Sequence, residues 1–333
     1  MGSVHWLDYT LSLAMTRRRL FAGGWGEQTL LDRFAPTLEL GARPCPLAIA
    51  WSPVTTAQGG FLVRDGTFTS PTAGLPDAAS RGHVRALLPR RERSMQPRPM
   101  YVSLASSGEE GFAVRTRLFG PMVEQSGMGV LLLENPLYGL RRPPGQRGSA
   151  IHTVSDHMLM NLGMLEECLC LLETLAQEGH TRLGVTGFSM GGSMAALAAA
   201  LSPRPLAAAI FSAGRSAVYA FTTGLLSRSI DFERLGRGEG GTTGARSRLA
   251  RLFATADLDR HAVPRSPDAA VIIGARRDGY VDPGEVQRLH ELWKGSEVRW
   301  LDTGHVGTVL QHAGALRRAS LDAMERLRRT APA

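Results

Sequence analysis

The chain has 333 residues, 43% of them hydrophobic and 20% charged, a composition that excludes a collagen, a coiled coil or a disordered tail. Its net charge of +8 rests on 38 basic residues of which only Lys294 is a lysine. The arginines are scattered, with Arg17, Arg18, Arg19 and the pair Arg90, Arg91 as the tightest runs, which argues against a nucleic-acid partner.

From the N-terminus, residues 4–20 are expected to form an amphipathic helix with Trp6, Leu7, Leu11 and Leu13 turned inward. Packing on the core is the ordinary reading of such a helix. Peripheral contact with a membrane surface is the alternative, and would suit a lipid ester substrate. The nearby arginines follow the apolar stretch instead of preceding it, the wrong order for a signal peptide. No apolar run reaches the roughly 18 to 20 residues needed to span a bilayer. Three cysteines, Cys45, Cys168 and Cys170, are too few for a disulfide framework at this length. The expected location is cytoplasmic, with membrane association tied to the helix alone.

Residues 1–97 read as an N-terminal extension packed on the core, with antiparallel edge strands near 46–51 and 83–88. From 98 to 333, short continuous apolar runs alternate with longer amphipathic ones. Strands are predicted over 99–104, 129–133, 183–186, 207–211, 269–273 and 297–301, and helices over 155–179, 190–201, 283–294 and 311–329. Apolar runs without alternation suit strands covered on both faces. The order predicts an α/β fold with a mostly parallel central sheet and helices on both faces. Residues 214–265 lack a strand and carry a glycine-rich hinge over 236–244, so they are expected to be either a surface loop or a lid over a cleft.

The chemistry centres on residues 182–200, RLGVTGFSMGGSMAALAAA. A strand runs into Gly187-Phe188-Ser189-Met190-Gly191, and an alanine-rich helix follows at once. With 38 glycines in the chain, a bare G-x-S-x-G carries little weight; the strand before it and the helix after it mark a nucleophile elbow. Such a turn lifts the serine hydroxyl above the sheet and aims free N–H groups, including that of Met190, at a developing oxyanion.

A serine nucleophile needs a base, and the base an orienting acid. His305 follows the 297–301 strand and is flanked by Gly304 and Gly307. Asp278 follows the 269–273 strand. Both lie past carboxyl ends of strands, where an open α/β sheet places its site. Asp282, before Pro283, reads as a helix N-cap, and Asp302 is too close in sequence to His305 to serve it. The second oxyanion donor is expected from the loop after the 99–104 strand, at Ser106 or Ser107. Glu134 either lines the cleft or holds the loop that follows it. No metal-ligand spacing and no cofactor motif is present, so cofactors are expected to be none. Ser189, Asp278 and His305 are the expected catalytic residues.

These segments are similar to those of the alpha/beta-hydrolase domain-containing protein 18 family. The matching stretches are LFAGGWG (20–26), FTSPTAG (68–74), LLLENPLYGLRRP (131–143), VSDHML (154–159), GVTGFSMGG (184–192), DGYVDP (278–283) and GSEVRWLDTGH (295–305). The resemblance implies an alpha/beta-hydrolase fold and a serine hydrolase whose motifs fall on Ser189, Asp278 and His305. The family's His-x-Ala-Gly-Thr-Gly-Asp loop is replaced here by Ser103-Leu104-Ala105-Ser106-Ser107-Gly108-Glu109, a departure that bears on the loop donors. Asp282 also stands where the family usually has a proline. The expected activity is cleavage of a small-molecule or lipid carboxylic ester or thioester. Acyl transfer on the same residues and a catalytically silent binding protein on this scaffold are the alternatives.

Overall fold

Strands buried on both faces must be covered by helices on both sides, and the computed structural model has that layering. It describes residues 4–15, 19–40, 44–90 and 97–330; Arg17, Arg18 and Arg91 lie outside them. The strands are β1 (Ala50–Gln58), β2 (Phe61–Thr69), β3 (Arg81–Pro89), β4 (Met100–Leu104), β5 (Gly129–Leu133), β6 (Leu183–Phe188), β7 (Ala207–Phe211), β8 (Ala270–Ala275) and β9 (Glu297–Leu301). They form one sheet in the order β1-β2-β3-β5-β4-β6-β7-β8-β9. The pairs β1–β2, β2–β3 and β3–β5 are antiparallel, and β5 through β9 are parallel.

The helices are α1 (Trp6–Met15), α2 (Gln28–Leu40), α3 (Asp77–Ser80), α4 (Ala113–Ser126), α5 (Val154–Gln177), α6 (Met190–Leu201), α7 (Val218–Thr222), α8 (Phe232–Leu235), α9 (Gly241–Phe253), α10 (Pro283–Leu292), α11 (His305–Gln311) and α12 (Ala313–Thr330). The central strands divide their side chains between two cores. Val102, Leu104, Ile210 and Ile272 join α5 and α6 on one face, while Tyr101, Phe211, Val271 and Ile273 join α4 and α12 on the other. That alternation is the period of two expected of a strand. Each fully buried aliphatic side chain contributes about 1.5–3 kcal/mol, so both faces hold the parallel strands in place. Helix α5 opens on a capping box in which Thr153 and Asp156 satisfy each other's backbone N–H groups.

Three sequence expectations need correction or completion. β2 was not foreseen, because Arg64 and Asp65 interrupt its apolar alternation; its residues still alternate between buried and partly exposed. Helix α4, which makes the crossover from β4 to β5, was also missed, since Gly120 and Pro121 lie inside it. Helix α1 forms but turns the opposite way. Trp6 and Leu13 are 65% and 64% exposed and Leu11 is exposed too, whereas Asp8 and Ser12 are buried. Hydrogen bonding, not apolar burial, sets that face, because a buried carboxylate is tolerated only when it is paired.

The 214–265 segment contains no strand and folds as α7, α8, α9 and short 3-10 turns. It meets the N-terminal part through a Leu20–Ile230 bridge and a bond from Trp25 Nε1 to the Leu235 carbonyl at 3.0 Å. Among the described residues no helix is long and apolar enough to cross a membrane.

Candidate active site

β4 lies between β5 and β6, so the chain leaves it on one side and returns on the other. Such a switch point opens a crevice at the carboxyl ends of the strands. Ser189 stands there, at the end of β6 and as the N-cap of α6, with φ 57° and ψ −123°. A non-glycine residue at positive φ is strained and persists only when its surroundings fix it. The surroundings here are tight. A Cβ on Gly187 would lie 2.2 Å from the Gly191 carbonyl oxygen, and one on Gly191 would lie 2.4 Å from that of Leu104. The Ser189 N–H donates to the Phe211 carbonyl at 2.9 Å. Met190, the first residue of α6, has its N–H at a helix end where no intrahelical acceptor exists.

Asp278 and His305 come from the ends of β8 and β9 and meet. Asp278 Oδ2 lies 2.7 Å from His305 Nδ1, and both side chains are buried. The other oxygen, Oδ1, accepts the N–H groups of Tyr280 at 2.8 Å and Val281 at 2.9 Å. With Oδ1 held by backbone, Oδ2 is left for the imidazole and selects the tautomer with its proton on Nδ1. Nε2 then carries the free lone pair. Phe188 and Tyr280 flank the ring at centroid distances of 4.6 and 5.0 Å. Burial, with the Asp8 and Asp278 carboxylates nearby, pushes the Tyr280 phenol well up, so it stays neutral. Asp282 caps α10 by accepting the Gly284 N–H at 3.0 Å. The Asp302 side chain is 82% exposed and pairs with Arg277.

The loop after β4 is held by charge. Arg115 pairs with Glu109 at 2.8 Å and also donates to the Ser103 and Leu133 carbonyls at 2.7 and 2.9 Å. Glu109 in turn accepts the N–H of Ser106 at 3.2 Å. Ser106 and Ser107 are the two expected oxyanion donors, and the Ser106 N–H is engaged by this carboxylate. Among the described residues the Ser107 N–H has no hydrogen-bond partner. Glu134 accepts the Gly111 N–H at 2.8 Å, and burial pushes its carboxyl up. That bond ties it to the loop after β4.

Ser189, His305, Ser106 and Ser107 share the wall of one cavity of about 390 Å³ with Leu118, Phe119 and Leu310. That volume suits a small organic ligand. A second hollow adjoins at Ser189, walled by Met190, His157, Asn161 and Phe221. Among the described residues, no hydrogen bond joins Ser189 Oγ to His305 and no cluster of His, Cys, Asp and Glu is arranged to hold a metal ion.

The family model described as alpha/beta hydrolase domain containing 18 matches residues 18–256 and 241–326. The chain belongs to the alpha/beta hydrolase domain containing 18 family. Its members' fold is shared with structures of distant sequence. An acetyl xylan esterase from Paenibacillus sp. R4 is 16% identical with a TM-score of 0.59, covering 92% of this chain and 98% of its own. Acetyl xylan esterase 1 from Thermoanaerobacterium sp. JW/SL YS485 is 13% identical with a TM-score of 0.59, covering 93% and 98%. An S-formylglutathione hydrolase from Agrobacterium tumefaciens is 14% identical with a TM-score of 0.52, covering 85% and 99%. At such identities the likeness establishes the alpha/beta-hydrolase fold.

Sequence reasoning missed two residues that shape this family member's site. Arg115 lies in the unforeseen α4. Asp8, on α1, bonds to the backbone at both Gly279 and His305. Neither carries a local sequence signal, because their partners are distant in the chain.

Proposed function

We propose that this chain is a serine hydrolase acting on a carboxylic ester or thioester through an acyl-serine intermediate. The observation that carries the reading is the His305–Asp278 contact at 2.7 Å, with His305 on the wall of the same cavity as a serine held at positive φ. Ser189 Oγ attacks the carbonyl carbon while His305 Nε2 takes its proton. The carbonyl oxygen becomes an oxyanion, which accepts hydrogen bonds from the N–H groups of Met190 and Ser107. Collapse expels the alcohol or thiol, to which His305 returns the proton. Water, deprotonated by His305, then attacks the acyl-serine; the acyl–Oγ bond breaks, His305 returns the proton to Ser189 Oγ, and the acid is released. The Asp278 carboxylate stabilises the imidazolium in both halves.

The apolar wall of Leu118, Phe119 and Leu310 supports a substrate with a hydrocarbon part, a lipid acyl ester included. Ala220 and Leu226, from the 214–265 segment, close one side of the cavity, which supports the reading of that segment as a lid. Replacing Ser189 with alanine tests the proposal. Turnover across esters of several chain lengths is expected to fall by about 10³-fold or more, and unchanged turnover overturns it.

A further inference from the structure

We propose that Asp8 is a positioning residue that sets the His305–Asp278 pair from the N-terminal helix; the proposal rests on the serine-hydrolase reading above. Asp8 is fully buried. Its Oδ2 accepts the N–H of His305 at 2.8 Å and that of Gly279 at 3.0 Å, and its Oδ1 accepts the N–H of Val306 at 3.0 Å. One carboxylate thus holds the residue after the acid and the base itself, from two loops that no covalent segment joins closely. The phenol of Tyr280, which flanks the imidazole, donates to the Asp8 carbonyl at 3.3 Å.

Burying a carboxylate is costly unless it is hydrogen-bonded, and charge-assisted bonds to backbone N–H groups are the strong kind. The loop before His305 is shaped to admit it. A Cβ on Gly304 would lie 2.5 Å from His5 Cβ and 2.7 Å from Asp8 Oδ2, so only glycine lets α1 approach. The His5 N–H adds a bond to the Arg277 carbonyl at 3.1 Å, next to the acid.

The test compares Asp8→Asn with Ser12→Ala, a change on the same helix that removes a different buried hydrogen bond, to the Leu225 carbonyl. Asparagine keeps the shape but turns one acceptor into a donor facing an N–H. Asp8→Asn is expected to lower kcat by about 10²-fold, the loss that misplacement of a catalytic group produces. KM for a p-nitrophenyl ester stays within about twofold. The downfield NMR signal of the His305 Nδ1 proton shifts or broadens with it. Ser12→Ala lowers the unfolding midpoint and moves neither kcat nor that signal. A folded Asp8→Asn protein with the wild-type kcat and the wild-type signal overturns the proposal. Should that variant not fold, hydrogen exchange on the native chain decides. The amides of Gly279, His305 and Val306 are expected to open together as one unit, and unrelated opening rates overturn the proposal. Ser189→Ala measured alongside keeps the two ideas apart. Retained turnover there defeats the serine reading, while the Nδ1 signal still reports on Asp8.

Discussion

His305 Nδ1 and Asp278 Oδ2 stand 2.7 Å apart although 27 residues separate them in the chain. The contact is directional, because the other Asp278 oxygen is already held by the N–H groups of Tyr280 and Val281. The imidazole is therefore presented with its lone pair on Nε2. Asp278→Asn can donate to Nδ1 and so select the wrong tautomer. Its kcat for ester hydrolysis is expected to fall by roughly 10³ to 10⁴-fold with the fold intact. Steady-state kinetics and circular dichroism check this; near-normal kcat contradicts the role of Asp278.

Ser106 spends its N–H on Glu109, which leaves Ser107 as the proposed second oxyanion donor. Ser107→Pro removes that N–H and no other backbone donor. Loss of one such donor costs about 10² to 10³-fold in kcat, and that is the expected result. A folded Ser107→Pro protein with full kcat places the donor elsewhere in the loop.

How much of this was legible in the sequence follows from where each signal lives. The central strands β4 to β8 are continuous apolar runs, and Gly187 and Gly191 bracket Ser189 at the spacing an elbow requires, so both were readable locally. The positions of Asp278 and His305 followed from the strands that precede them. Helix α4 was hidden by Gly120 and Pro121, and β2 by its charged pair, because tertiary packing overrode local preference. Helix α1 was legible as a helix but not in its orientation. What turns Asp8 inward is a set of N–H groups 271 to 298 residues away, and no local pattern records them.

His157 sits among Phe21, Phe221 and Phe253, and burial lowers its pKa from 6.5 to about 3. The folded protein therefore keeps it neutral, while the unfolded chain binds a proton below about pH 6.5. Its contribution to stability is intact above that pH and is lost as the pH falls toward 3, at up to about 1.4 kcal/mol per pH unit. Urea unfolding across that window should show this slope, and His157→Leu should flatten it. Equal slopes for the two proteins contradict a neutral buried His157.

The outward face of α1 carries Trp6 and Leu13, and Leu310 at the cavity wall is 71% exposed. We propose that this face makes peripheral contact with a lipid surface. Replacing Trp6 and Leu13 together by serine is expected to reduce co-sedimentation with vesicles containing anionic lipid. Unchanged sedimentation assigns no membrane role to α1.

In the proposed function Ser189 is a nucleophile activated by His305. Labelling the folded protein with a fluorophosphonate and mapping the adduct by mass spectrometry tests it most directly. A single adduct on Ser189, much slowed in His305→Ala, is expected. A folded protein that stays unlabelled, or that is labelled at another residue, contradicts it.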